Sequence, residues 1–399
     1  MIKIVFLLLI SVSLSATQVN GLTYLNDLRA STGLIPFKKN SALDKAARAH
    51  AKYLMVKQRS GHYEKKSKYS TGKTPSDRVI KAGYPSTMVM ENISINTINE
   101  QKSIDNLFSA IYHRLVFLNL DKDEIGFGSI KSQRKRAIKQ VDVYDLGSST
   151  ISKLCSKSYI LRNGEYYLKN VCQKSKKMIP QKQIKKKKRE IQKQNSPIVL
   201  YPYDGQSNVY PAFYNETPDP LPNYKVSGFP ISIQFNPAYY KSIKLKTFKL
   251  YNEEGKEITK TKLLNVKKDR HHILSKFEFA LMPLARLEYA QRYRVEFEAI
   301  VDGKNVKKRW SFNTQKPKEK LYRVSKNNET LHVKAGETIL LYMVPSHRKD
   351  LLTNYSAKGG VKAEFVDQNT LRVTLPKRTS IGRVSMKFSN KKRISFIVE

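Results

Sequence analysis

Acidic residues are the first shortage in this chain: 33 Asp and Glu stand against 74 Lys and Arg, a formal net charge of +41 over 399 residues. That balance favours association with polyanions: nucleic acid, anionic headgroups or acidic polysaccharide. The excess is spread along the whole length and is mostly lysine, so it speaks for solubility and non-specific adhesion rather than for one patch, and it points to no specific nucleic acid. The chain also lacks an H-E-x-x-H motif and a nucleophile elbow, the short-range signatures of zinc peptidases and α/β-hydrolases.

Long apolar runs are missing too. The run from Ile4 to Leu14 falls short of the ~20 residues a membrane helix needs. Lys3 precedes it and Ser13, Ser15 and Ala16 close it, the order of a secretory signal peptide over residues 1–16. An uncleaved anchor is the alternative. No cysteine follows the run, which excludes a lipoprotein anchor there. The mature chain therefore reads as secreted or periplasmic, and not as an integral membrane protein.

Only two cysteines are present, Cys155 and Cys172. Between them, Tyr159-Ile160-Leu161 and Tyr166-Tyr167-Leu168 flank Asn163-Gly164, the pattern of a hairpin whose turn brings its ends together. A disulfide between the two is expected, in keeping with an oxidising compartment.

The length allows two or three domains. Leu22 to Leu28 has helical spacing, and Gly33-Leu34-Ile35-Pro36 ends it. A second helix is expected from about Ser41 to Lys57, capped by Asn40 or Ser41, with His50 on its apolar face as a packed residue. Ser76 to Lys81 reads as a short helix, and Met88 to Ile95 as a strand or a buried turn. A single helix over 103–117 has Ser103 as its cap and His113 at the edge of its apolar stripe. Strands are expected at Ile125 to Ile130 and Ala137 to Val143. From Gln173 to Ser196 the composition turns basic around Lys185-Lys186-Lys187-Lys188-Arg189. Like charges at that density resist folding, so the stretch reads as a solvated linker or a lone polar helix.

Beyond it the pattern is all β. Residues 196–316 carry alternating strands at Ile231 to Phe235, Lys244 to Leu250 and Tyr293 to Ala299, with Trp310 in the core. This is the pattern of an immunoglobulin- or fibronectin-like β-sandwich. Tyr201, Tyr203, Tyr210, Phe213, Tyr214 and Tyr224 either pack its edge or form a sugar-stacking platform. His271 and His272, adjacent on a strand, face opposite ways and cannot share a ligand. Residues 317–399 form a smaller β domain with no sign of catalysis.

Three residues stand out in the first part: His62, Glu91 and His113 are of the types that bind a divalent metal or shuttle protons. Glu91 sits among Met88, Val89, Met90 and Ile93, so it must be paired or have a raised pKa. No two of the three form a short-range motif.

The segments around them carry a resemblance. Leu25-Asn26-x-x-Arg29-Ala30, Leu43-x-x-Ala46-Ala47-x-Ala49-His50-Ala51, Gly61-His62-Tyr63, Glu91-Asn92-Ile93, His113-Arg114 with Leu118-Asn119, and Ile125-Gly126-Phe127-Gly128 together resemble a CAP domain, over roughly residues 22 to 145. That superfamily holds the cysteine-rich secretory, antigen 5 and pathogenesis-related proteins and many bacterial secreted proteins. The resemblance implies an α+β fold, an α-β-α sandwich, with a cleft lined by His62, Glu91 and His113. Two departures stand out. Met90 replaces the usual glycine, and the second acidic position falls at Ala110, with Leu107 where tryptophan is usual.

The organisation expected is a signal peptide (1–16), a CAP domain (17–150), a disulfide hairpin and basic linker (151–195), a β-sandwich (196–316) and a small β domain (317–399). Function reads first as a non-enzymatic binding module whose cleft takes a divalent metal (zinc) or a small ligand. Partners would be a cell-envelope polymer, an anionic surface or a small apolar molecule. The alternative is a metal-dependent peptidase or esterase in which His62, Glu91 and His113 hold the metal and Glu91 polarises water. Catalytic zinc takes three protein ligands plus water, so Glu91 would have to coordinate directly. A third reading makes the same residues purely structural.

Overall fold

The computed structural model describes residues 20–134, 136–377 and 384–399. The signal-peptide segment lies outside the described residues. Among them no helix is long and apolar enough to cross a membrane.

The first unit is built from α1 (Gly21–Ser31), β1 (Lys38–Lys39), α2 (Ser41–Lys57), α3 (Pro75–Lys81), β2 (Met90–Ile95), α4 (Glu100–Ser109), α5 (Ile111–Phe117), β3 (Glu124–Lys131) and β4 (Gln140–Gly147). Its sheet has the order β1-β3-β4-β2. β4 is buried along its whole length, as a strand covered on both faces must be. Its alternation sends Val141 and Val143 towards Ala47, Ala51 and Leu54 of α2. Tyr144 and Leu146 go to the other layer, with Leu25, Leu28, Ile104 and Phe108 of α1 and α4. The α-β-α sandwich is therefore observed. α2 lies close on β3 because Gly126 and Gly128 have no side chain: a Cβ would come within 2.0 Å of the Leu43 carbonyl carbon and 2.1 Å of the Arg48 nitrogen.

The α2 bounds are as expected, and Asn40 caps it by accepting from the Ala42 and Leu43 amides. The expectation of one helix over 103–117 needs correction. Two helices meet at Ala110, where the backbone is extended (φ −93°, ψ 117°). Asn99, not Ser103, caps the first of them. The Ser103 hydroxyl instead accepts from the Tyr144 hydroxyl. β4 also begins later than the sequence pattern suggested, at Gln140.

The Cys155–Cys172 disulfide is present, with the two Cα atoms 5.5 Å apart. The hairpin meant to create it is not. In place of pairing with Tyr159-Ile160-Leu161, Tyr167–Leu168 (β5) pairs with Ile179–Pro180 (β6), while Ile160 and Leu161 are exposed. The sulfurs meet because α6 (Ser149–Cys155) ends against the segment whose Cys172 bridges to Ser86. The basic stretch is a helix, α7 (Gln181–Gln192), and it is not solitary. Ile184 and Ile191 are buried, and Lys188 lies 3.0 Å from Asp121. Asn236 donates to the Gln192 carbonyl at 2.7 Å. A helix that keeps its lysines on one side can bury the other, so repulsion between them does not prevent folding.

Residues 198–314 form two facing four-stranded sheets. One runs in the order 261–264, 278–283, 231–235, 198–201, and the other in the order 243–251, 292–301, 304–314, 206–209. Phe235, Phe297, Phe248 and Trp310 fill the space between them. Residues 320–398 repeat the two-sheet plan with their own core around Leu341, Leu371 and Met386. The two β units are joined by Arg286, whose guanidinium donates twice to Asp367, at 2.9 Å to each oxygen. Tyr201 and Phe213 are buried, and Tyr214 donates to Asp367. These three of the six aromatic residues are thus packed, while Tyr203, Tyr210 and Tyr224 are half-buried.

Replacing both cysteines by serine should lower stability by about 3 kcal/mol, the loop-closure value for a crosslink of this span. Chemical denaturation of the parent and the variant measures it.

Candidate functional site

His62 and Glu91 come together. The His62 Nδ1 lies 2.9 Å from Glu91 Oε1, with the imidazole 39% exposed and the carboxylate buried. β2 delivers Glu91 to the α2–α3 face of the sheet, because its neighbour across the ladder, Asp145, shares the face of Val141 and Val143. On that face α3 supplies Arg78. Its Nη2 donates to Glu91 Oε2 at 2.6 Å, and its Nη1 donates to the His62 carbonyl at 3.0 Å. α2 supplies His50, fully buried, with Nδ1 2.8 Å from Glu64 Oε1 and Nε2 3.8 Å from Glu91. Glu64 Oε2 accepts from the Thr71 amide at 2.6 Å. His50 is a packed histidine as expected, but it packs inside a charged cluster.

Two carboxylates lie together in this cluster with opposite tendencies. Burial pushes Glu91 up, but the His62 hydrogen bond and the charges of His50, Arg78 and His62 outweigh it and hold the carboxyl below its ordinary range. Burial, then the Glu91 charge, raise Asp145 well above the usual carboxylate value, with Arg78 opposing. Neither Asp145 oxygen has a donor to accept from. Burial beside another carboxylate favours the protonated form of Asp145, whose proton can point at Glu91.

His113 is held differently. Its Nδ1 lies 3.0 Å from Glu216 Oε2, a residue of the β-sandwich unit. The same oxygen accepts from the amides of Tyr112 at 3.0 Å and His113 at 3.4 Å, so Glu216 caps α5 from another part of the chain. Asn92, next to Glu91, donates to the His113 carbonyl at 2.9 Å. Ala110, the position of the missing acid, packs against Phe213, Leu221 and Met282.

His62 and Glu91 therefore meet, whereas His113 touches β2 only through its carbonyl, on Asn92, and the three do not form a common donor set. Both Glu91 oxygens are engaged, one by a guanidinium that repels a cation, and the His113 Nδ1 is taken by Glu216. Among the described residues no group of three or more His, Cys, Asp or Glu side chains is arranged to hold a metal ion. The donors present do not fit a divalent metal.

Sequence reasoning missed Glu64, Arg78, Asp145 and Glu216. Only Asp145 carried a local signal, an acid on the inward side of the Val141–Val143 alternation.

The sandwich of helices around β3 and β4, with the imidazole of His62 resting on the Glu91 of a Glu-Asn pair, defines a known class. Residues 22–144 match the model of the CAP family, the cysteine-rich secretory protein family, and this part of the chain is a CAP domain. Among solved structures it is similar to an outer surface protein from Borrelia burgdorferi, at 19% identity and a TM-score of 0.28, over 32% of this chain and 88% of that one. It is also similar to an extracellular SCP-domain protein from Bacillus anthracis, at 16% identity and a TM-score of 0.27, over 32% of this chain and 39% of that one. No curated protein matches. Likeness at this level says nothing of substrate.

Two outcomes are expected from these contacts. The raised Asp145 contributes stability only below the unfolded carboxylate pKa and costs stability as pH rises towards its folded value. Asp145→Asn, which can still donate to Glu91, should therefore stabilise the protein at neutral pH. The gain should shrink towards about pH 4, as thermal melts across pH will show. Glu216→Ala, which uncaps α5 and strips His113 of its partner, should cost about 1–3 kcal/mol in denaturant titrations.

Proposed function

We propose that this chain is an exported CAP-domain binding protein that presents His62 to its ligand and does not hydrolyse it. The observation that carries this reading is the commitment of Glu91. One oxygen accepts from His62 and the other from Arg78, so the carboxylate is spent on orienting the imidazole. Glu91 takes the Nδ1 side of the ring, which leaves Nε2 of a half-exposed imidazole to meet a ligand. Among the described residues no Ser, Thr or Cys side chain is hydrogen-bonded to His62, which leaves an activated nucleophile without support. The metal-dependent hydrolase alternative finds no support in this donor set.

Export is supported by the signal-like N-terminal sequence and by the Cys155–Cys172 bridge, which persists in oxidising compartments. The ligand that suits a half-exposed imidazole, able to donate or accept, is a hydroxyl-bearing polymer of the cell envelope.

Two measurements test the reading. The intact protein, with and without zinc, should turn over peptidase and esterase substrates no faster than Glu91→Gln; turnover that this variant abolishes would falsify the proposal. Retention on purified cell-wall material should fall about tenfold in His62→Ala, the equivalent of one good hydrogen bond.

A further inference from the structure

The CAP domain and the β-sandwich leave a groove between them, about 420 Å³ in volume, with α1 and α4 on one side and the strand 206–209 on the other. Its depth is aromatic. Phe108, Tyr201 and Phe229 form a closed floor, almost wholly buried, with Phe108 and Tyr201 4.8 Å apart, centroid to centroid. Half-buried Tyr24, Tyr203 and Tyr210 add further rings. Tyr24 is fixed by its hydroxyl, which donates to Asp105 at 2.5 Å. Tyr210 is covered by Lys102, whose Nζ stands 4.8 Å from its ring centroid.

The polar lining is mostly amide. Among the described residues, the side chains of Asn106, Ser207, Asn208 and Gln315 line this groove and make no hydrogen bond within the protein. The charged lining is one lysine, Lys102, and one aspartate, Asp105, so the groove has no formal charge on a chain that carries +41.

We propose that this groove binds an uncharged oligosaccharide. A sugar ring offers an apolar C–H face that can rest on the half-buried tyrosines, Tyr24 and Tyr203 foremost, and hydroxyls that both donate and accept, as planar amides do in return. A polyanion has no arginine cluster to meet here and encounters Asp105. A purely apolar ligand would cover four polar side chains without pairing them, which opposes binding. Junctions between units are where such pockets gather. The inference shares the binding reading given for His62 but none of its residues, so the two stand or fall separately.

The test uses the intact protein, titrated calorimetrically with cellohexaose, chitohexaose and maltohexaose, and with heparin as the polyanion. At least one neutral hexasaccharide should bind, with an affinity that added salt leaves unchanged. Asn106→Ala combined with Gln315→Ala should weaken it about tenfold. Ser207→Trp, at an exposed position facing the groove, should block it, while His62→Ala should leave it intact. Melting curves matching the parent's establish that the variants fold. The proposal is overturned if no neutral glycan binds the parent, or if both groove variants bind as the parent does. It is equally overturned if His62→Ala removes glycan binding, or if heparin alone binds and salt abolishes it.

Discussion

A short helix, Ile111–Phe117, carries the join between the CAP domain and the rest of the molecule. It has no capping side chain of its own, since Ala110 precedes it, and its exposed amides are closed by Glu216 of the sandwich. One turn on, Arg114 is fully buried. It donates to the Phe108 carbonyl within the domain and to the Pro230 carbonyl across the interface, each at 2.7 Å, and stacks on Tyr201 and Phe229. Burial lowers its pKa to about 9. A guanidinium without a carboxylate partner is tolerated there because carbonyls and ring faces surround it. Removing the sandwich would leave both a helix end and a cation unsatisfied.

That dependence reaches the candidate site. His113, which the family resemblance assigns to the cleft, is tied through its side chain to the sandwich and through its carbonyl to Asn92. The loss of the acid at position 110 is understandable in the same terms: the position is packed among apolar residues, where a carboxylate would be desolvated without a partner. The acid that meets the histidine now comes from Glu216. On this side His113 therefore belongs to the interface with the sandwich. What stays open to a ligand is His62, held by a Glu91 that answers to Arg78 as well.

Much of the local structure was legible. The α2 helix could be bounded because Asn40 is a capping residue and its apolar positions recur at helical spacing. The strands at Ile231 to Phe235 and Lys244 to Leu250 were equally plain, since alternation is a property of neighbours. The failures have one cause. The helix expected over 103–117 is two helices, and the second is closed by Glu216, more than a hundred positions away. Tyr167 and Leu168 found a partner in Ile179 and Pro180 rather than in the nearer Tyr159 stretch. The basic run around Lys187 folded because Ile184 and Ile191 found a surface to cover.

The sequence by itself determined the class of the first domain, the β character of the C-terminal half and the pairing of the only two cysteines, because periodicity, capping and a two-member set are local or exhaustive. Only the tertiary structure decided which carboxylate each histidine meets: Glu91 for His62, Glu64 for His50 and Glu216 for His113. Ion pairs and hydrogen bonds act over a few ångströms of space and are indifferent to distance along the chain. The charge state and orientation of a site therefore belong to the folded molecule.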